Sequence, residues 1–244
     1  MSAGATLVTS WDDGHPSDLR LADLLSKHGL KGTFFVPRRN VEGRPTMDPR
    51  DIARLAAMGF EIGAHTDDHV RLDALGRAAA TRQIDDGRRY LEDAIGAPVR
   101  GFAYPGGNPG RYGQALAAEC FAYARTTRMF AFDPGRDPYD MPTTMQFFPH
   151  GTVPLVRNFL RGGDYASRSG AALSRLAARD PVAALGGLAD RAARCNGTLH
   201  IWGHSWEFDA LDLWDAVDTA FALLARDFKL ARRASVADSA PCAR

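Results

Sequence analysis

The sequence predicts an α/β fold, a distorted or incomplete (β/α) barrel of about seven parallel strands, on three observations. Short β-rich runs alternate with longer amphipathic runs, glycine closes the helical runs, and polar residues gather where the strands end. The chain has 244 residues, of which 45% are hydrophobic. That is enough apolar material for one large domain over residues 1–244, and no repeat, linker or low-complexity tract marks a second.

The run TLVTSW reads as the first strand, and DLRLADLLSKHG as a helix that ends on glycine. GTFFVP is the second strand. Asp48 and Pro49 open the next helix, DPRDIARLAAMG, because a carboxylate caps free backbone N–H groups and proline suits the first helical turn. FEIGAH is the third strand. Between Gly76 and Ile95 the residues Ala80, Ile84, Tyr90, Leu91 and Ile95 recur at helical spacing and predict a long helix. VRGFAYP gives strand four, Tyr112 to Glu119 a helix, and YARTT a strand. An irregular stretch follows within Phe132 to Pro149, with a strand at MQFFPH. The remainder reads as a helix from Pro181 to Arg194, the strand TLHIWGH, a helix from Leu211 to Asp227 and a final segment FKLARRASV. A dinucleotide-binding sheet would carry G-x-G-x-x-G after strand one, where WDDGHP stands instead.

Thirty basic against 29 acidic residues leave a net charge of +1, so no global field draws the chain to nucleic acid or to an anionic membrane. No run approaches the roughly 20 apolar residues of a membrane-spanning helix. Cys120, Cys195 and Cys242 form no Cys-x-x-Cys pattern, which predicts neither a disulfide framework nor a zinc ribbon. With no apolar leader in MSAGATLVTSWDDG, the expected compartment is the reducing cytoplasm. Nothing in the sequence signals an oligomeric state.

The stretch VTSWDDGHPSD crowds Asp12 and Asp13 at the end of strand one, where burial makes their repulsion costly. A divalent cation would offset it. His65 and His69 in HTDDH would be about 13 Å apart in an extended segment, whereas one helical turn brings their Cβ atoms within about 6 Å; helical spacing is therefore expected. Two imidazoles with one strand-one aspartate leave coordination positions open, an arrangement suited to catalysis. Successive side chains on a strand point to opposite faces, so one aspartate ligates while the other accepts a proton from metal-bound water. Tyr104 with its PGG turn, and His204, also follow strands. Asp67 and Asp68 are expected to face solvent or cap a turn, and His150 is a further strand-end candidate.

In this order, SWDDG, HTDDH, FAYPGG and LHIWGH resemble the first, second, third and fifth motifs of the polysaccharide deacetylase family, carbohydrate esterase family four, of NodB-homology type. The resemblance implies a distorted (β/α) barrel. It also implies a metal ion, often zinc, on Asp13, His65 and His69, with Asp12 as general base and His204 as general acid, removing an N-acetyl group from a sugar or glycan precursor. The turn at Gly106 would offer a backbone N–H to the developing oxyanion. Tyr104, Gly106, Trp206 and Arg125 make up the expected substrate-binding rim, Trp206 by stacking on a sugar ring. Two departures stand out. Ala103 occupies the place of the family's third-motif arginine, for which Arg125 is the expected substitute beside Asp12. The fourth motif has no match, and Glu207 or Asp209 would stand in beside His204. Rival readings are a hydrolase of another C–N bond, such as a cyclic ureide, and a carbohydrate-binding protein without turnover.

Overall fold

In the computed structural model, which describes residues 4–178, 180–228 and 232–241, one strand organises the sheet. β1 (Thr6–Asp12) is buried on both faces, so it reads as a nearly continuous buried run rather than an alternation. It pairs in parallel with β2 (Thr33–Val36) on one side and with β7 (Thr198–Gly203) on the other. Beyond them lie β3 (Glu61–Ala64), β4 (Gly101–Ala103), β5 (Tyr123–Arg125) and, at the opposite edge, β6 (Met145–Gln146), in the order β5-β4-β3-β2-β1-β7-β6. A short eighth strand, β8 (Arg232–Ala234), lies against Thr6–Val8. Every pairing is parallel, and the sheet curls into an incomplete (β/α) barrel. Next to β5, an isolated bridge pairs Arg125 with Met141, with backbone bonds from Met141 to Ala124 and from Thr126 to Met141.

The helices pack outside this sheet. α1 (Asp18–Lys27) and α2 (Pro49–Ala57) follow their sequence signals, and the Asp48 side chain accepts from the backbone N–H groups of Arg50 and Asp51. α3 (Arg77–Ile95) buries Ala80, Ile84, Gly87 and Leu91 and closes on Gly96 at φ 66°. α4 (Gly113–Cys120) precedes β5, while α7 (Pro181–Cys195) and α9 (Trp214–Asp227) flank β7 in sequence.

Between β6 and α7 the chain departs from expectation, with two helices, α5 (Thr152–Arg161) and α6 (Tyr165–Ala177), that periodicity did not announce. Val153, Val156, Leu160 and Leu173 remain exposed on them, so much of their apolar surface is not buried against the core. They are tied down instead by the buried Arg168, whose guanidinium donates to the carbonyls of Met129, Asn158, Phe159 and Gly163 at 2.7–3.1 Å. The expected strand MQFFPH is only two residues long. The short helices α8 (Ser205–Ala210) and α10 (Val236–Ser239) were also unforeseen. Cys242 and residues 229–231 of the final segment lie outside the described residues.

Gly87 holds α3 against the loop that follows β3. A Cβ there would lie 2.7 to 2.9 Å from backbone atoms of Thr66 and Asp67, closer than real carbon atoms approach. Gly87→Ala is therefore expected to destabilise the fold by about 1–3 kcal/mol through overpacking. Chemical denaturation of the variant against the parent chain measures this; an unchanged midpoint would show that the loop yields freely.

Candidate active site

Five strand ends deliver the polar residues to one rim, and β1 brings two. Asp12 is the last residue of β1 and Asp13 turns away from it at φ 78°, followed by Gly14 at φ 60°, where a Cβ would meet Val36 Cγ1 at 2.6 Å. Both carboxylates are buried, and they part to different partners.

Asp12 forms an ion pair with Arg125, which reaches it from the end of β5 and is itself wholly buried. The guanidinium lies 5.0 Å from the Phe35 ring centre and 5.3 Å from that of Trp202. Arg125 thus lies against Asp12, the contact expected of it. Arg125 does not belong to a substrate-binding rim, because its burial and its bond to Asp12 leave it no exposed surface.

Asp13 faces two imidazoles. Its Oδ1 lies 3.0 Å from His69 Nε2 and 3.7 Å from His65 Nε2. Burial alone would raise its pKa, but the close approach of the His69 imidazole and the positive charge of His204 prevail and hold it below the ordinary carboxylate range. His65 donates from Nδ1 to the Ala103 carbonyl at 2.7 Å, and burial pushes its pKa down to about 4. It is therefore neutral at pH 7, with the lone pair of Nε2 directed at the site.

The two histidines do not sit on a helical turn. Residues 65–70 form an irregular loop with Thr66 at φ 63° and His69 at φ 57°, and this folding brings the ring centres to 5.0 Å. Asp67 and Asp68 hold the loop rather than facing solvent. Asp67 is buried beside Arg38 and Arg39, its N–H donates to Gln83 O, and the Asp68 carboxylate takes bonds from Arg39 and Gln83.

His204 follows β7. Its Nδ1 lies 3.1 Å from Glu207 Oε2. Burial opposes its protonation, yet the Glu207, Asp13 and Asp12 carboxylates outweigh burial and raise its pKa to about 9. Gln146 Nε2 donates to both Glu207 oxygens at 3.2 and 3.3 Å, and Gln146 Oε1 accepts from His150 Nε2 at 2.9 Å. Gln146 is a member of this chain that the sequence did not reveal, since nothing distinguishes it within a strand. Asp209 is engaged elsewhere, by Ser17 and Trp214.

Two rim expectations need correction. Tyr104 is buried and its hydroxyl donates to the Tyr139 carbonyl at 2.8 Å, so it belongs to the wall and offers nothing to a ligand. Trp206 donates from Nε1 to Asp13 Oδ2 at 2.8 Å, and Arg44 covers its ring at 4.0 Å. It orients a carboxylate, and its face is not free for a sugar. Gly106, at φ 66° in the turn Pro105–Gly107, lines a cavity of about 680 Å³ together with Gln146, His150 and Trp202. A cavity of about 730 Å³ around Phe132, Arg191 and Cys195 contains none of these residues.

The donor set fits a divalent cation. Ligand atoms of Asp13, His65 and His69 all lie within 4.8 Å of one another, and Asp13 Oδ1 is buried without a hydrogen-bond partner among the described residues. Such an oxygen is costly unless something occupies the space before it.

Residues 3–121 match the family model for polysaccharide deacetylase. A chitin deacetylase of Arthroderma benhamiae is 30% identical over 171 residues, 66% of this chain and 41% of that protein. A chitooligosaccharide deacetylase of Sinorhizobium fredii is 33% identical over 92 residues, 36% of this chain and 40% of that protein. The chain spans 27–42% of the length of these and other curated relatives it matches. Among solved structures, the PuuE allantoinase superposes with a TM-score of 0.66 at 14% identity, covering 96% of this chain and 89% of that one. A family 4 carbohydrate esterase from Streptomyces lividans in complex with acetate gives 0.59 at 15% identity over 98% and 97%. Both share the fold.

Removing Arg125 would leave Asp12 buried without its counter-charge. Arg125→Ala is expected to cost about 3–5 kcal/mol of unfolding free energy, measured by denaturant titration at pH 7. A loss below about 1 kcal/mol, the scale of an exposed pair, would show that the pair carries little.

Proposed function

We propose, for a chain that belongs through its residues 3–121 to the polysaccharide deacetylase family, that it hydrolyses the N-acetyl amide of a sugar or glycan precursor and releases acetate. The observation that carries this reading is the division of the two buried aspartates, one toward Arg125 and one toward a pair of imidazoles. Such a division provides a proton acceptor beside a cation site. Chitin and chitooligosaccharide deacetylases among the relatives supply the substrate class.

A divalent cation on Asp13, His65 and His69, zinc being well suited to that donor set, would polarise the amide carbonyl and lower the pKa of a bound water. Asp12 accepts the proton of the attacking water as the oxygen–carbon bond forms, and Arg125 holds that carboxylate in position. The backbone N–H at Gly106 meets the oxyanion. His204, held protonated by Glu207, gives its proton to the leaving nitrogen as the carbon–nitrogen bond breaks. Trp206 fixes the orientation of Asp13, as a hydrogen-bond partner behind a metal ligand does.

We further propose one catalytic unit over residues 1–244, working in the cytoplasm, where the free thiols of Cys120 and Cys195 stay reduced. No helix among the described residues is long and apolar enough to cross a membrane.

A substrate panel tests the activity. Acetate release from N-acetylhexosamine oligomers by the metal-loaded protein is expected; cleavage of a cyclic ureide without acetate, or tight sugar binding without turnover, would overturn the deacetylase reading. His65→Ala and His69→Ala should each reduce bound metal at least about tenfold, since each removes one of three protein ligands, as read by elemental analysis after dialysis.

The pH profile tests His204. A group raised to about 9 is protonated below that pH and loses its proton above it, so kcat should fall about tenfold per unit on the alkaline side. In Glu207→Gln that limb should move to lower pH, because the charge that favours the imidazolium is gone. An alkaline limb unmoved by Glu207→Gln would assign it to another group.

A further inference from the structure

The cavity beside Gly106 carries a charge pattern that a neutral N-acetyl sugar does not explain. Four arginines line it, Arg71, Arg128, Arg157 and Arg161, against one acidic residue, Asp140. Two of the four are neutralised. Arg128 pairs with Asp140 at 2.7 Å, and Arg71 pairs with Asp73 at the same distance. The side chains of Arg157 and Arg161 make no ion pair and no hydrogen bond among the described residues.

Their placement adds to the pattern. They stand four apart on α5, a spacing at which like charges repel across one turn. Both line the cavity, as does Val153 four residues before. The helix is anchored from behind by Arg168, so the two guanidinium groups are presented by a fixed element. On the facing wall the buried Trp202 has an indole N–H with no acceptor among the described residues. The cavity wall thus offers unfilled donors and positive charge, and the carboxylate it contains is already engaged.

This cavity adjoins the reaction centre. Gly106 belongs to its lining, and the Trp202 ring lies 5.5 Å from that of His204 and 5.3 Å from the Arg125 guanidinium. A substrate with its acetamide at the Gly106 turn would extend along this wall toward α5.

We propose that the substrate is an anionic acetamido sugar, bearing a carboxylate or a phosphate that Arg157 and Arg161 bind. This rests on the deacetylase reading for the acetamide end, while the anion site stands on its own geometry. Guanidinium groups favour such oxyanions because their planar donors pair with two oxygens at once.

Calorimetric binding to the metal-loaded 244-residue chain tests it with three probes that share one ring: N-acetylglucosamine, its 1-phosphate, and N-acetylmuramic acid with its carboxylate. At least one charged probe is expected to bind about tenfold more tightly than the neutral one, the order of one charge-assisted contact. Which of the two binds better identifies the anion as phosphate or carboxylate. In the double variant Arg157→Gln, Arg161→Gln the preference should fall to about twofold or less with the neutral sugar unaffected, whereas Arg50→Gln, outside the cavity lining, should retain it. Equal affinity for all three probes, no binding of any, or a preference that survives the double variant would overturn the proposal. Failure to release acetate from any probe would count against the deacetylase reading alone, because the binding preference is read without turnover.

Discussion

Two neighbouring carboxylates buried at the end of the central strand are the constraint around which this site is built. Asp12 and Asp13 are 2% and 3% exposed, and burying two like charges side by side is costly without compensation from partners. The fold supplies it from opposite directions. β5 sends Arg125 to Asp12, and the loop after β3 sends two imidazoles to Asp13, with Trp206 behind. Each partner stands on a different element, so the charge arrangement and the sheet topology are one problem with one solution.

The supporting contacts are largely backbone. The Ala103 carbonyl sets the His65 tautomer, and the backbone of Thr66 and Asp67 rests against a glycine of α3. Such contacts hold a ligand set in place without adding a titratable group to it. On the opposite side of the site the order is reversed. His204, Glu207, Gln146 and His150 form a side-chain series running from beside Asp13 into the cavity wall, so the proposed acid and the cavity share residues.

The helical excursion α5–α6 gives the groove its character. An insertion after a strand end costs a barrel little, because it lies outside the hydrogen-bonded sheet. Here it carries cations to a cavity whose other walls belong to the catalytic frame. On the proposed reading, the chemistry and the choice of substrate would lie on separable parts of the chain, as is common where loops decorate a (β/α) scaffold.

Much of this was legible in one dimension. Strand and helix order, the capped start of α2, the glycine end of α3, and the residue types Asp12, Asp13, His65, His69 and His204 at strand ends all follow from local periodicity and from chemistry that tolerates few substitutes. Arg125 beside Asp12 was legible as well, because a missing charge must be replaced from an adjacent strand. What only the tertiary structure decided concerns direction and contact. The histidine loop is irregular because positive φ at Thr66 and His69 and bonds to α3 outweigh the local helical option. Tyr104 turns into the wall, Trp206 binds a carboxylate, and Gln146 joins the acid through partners 61 and 4 residues distant. Spacing along a chain encodes which groups recur together; where a side chain points depends on neighbours that the chain brings near only by folding.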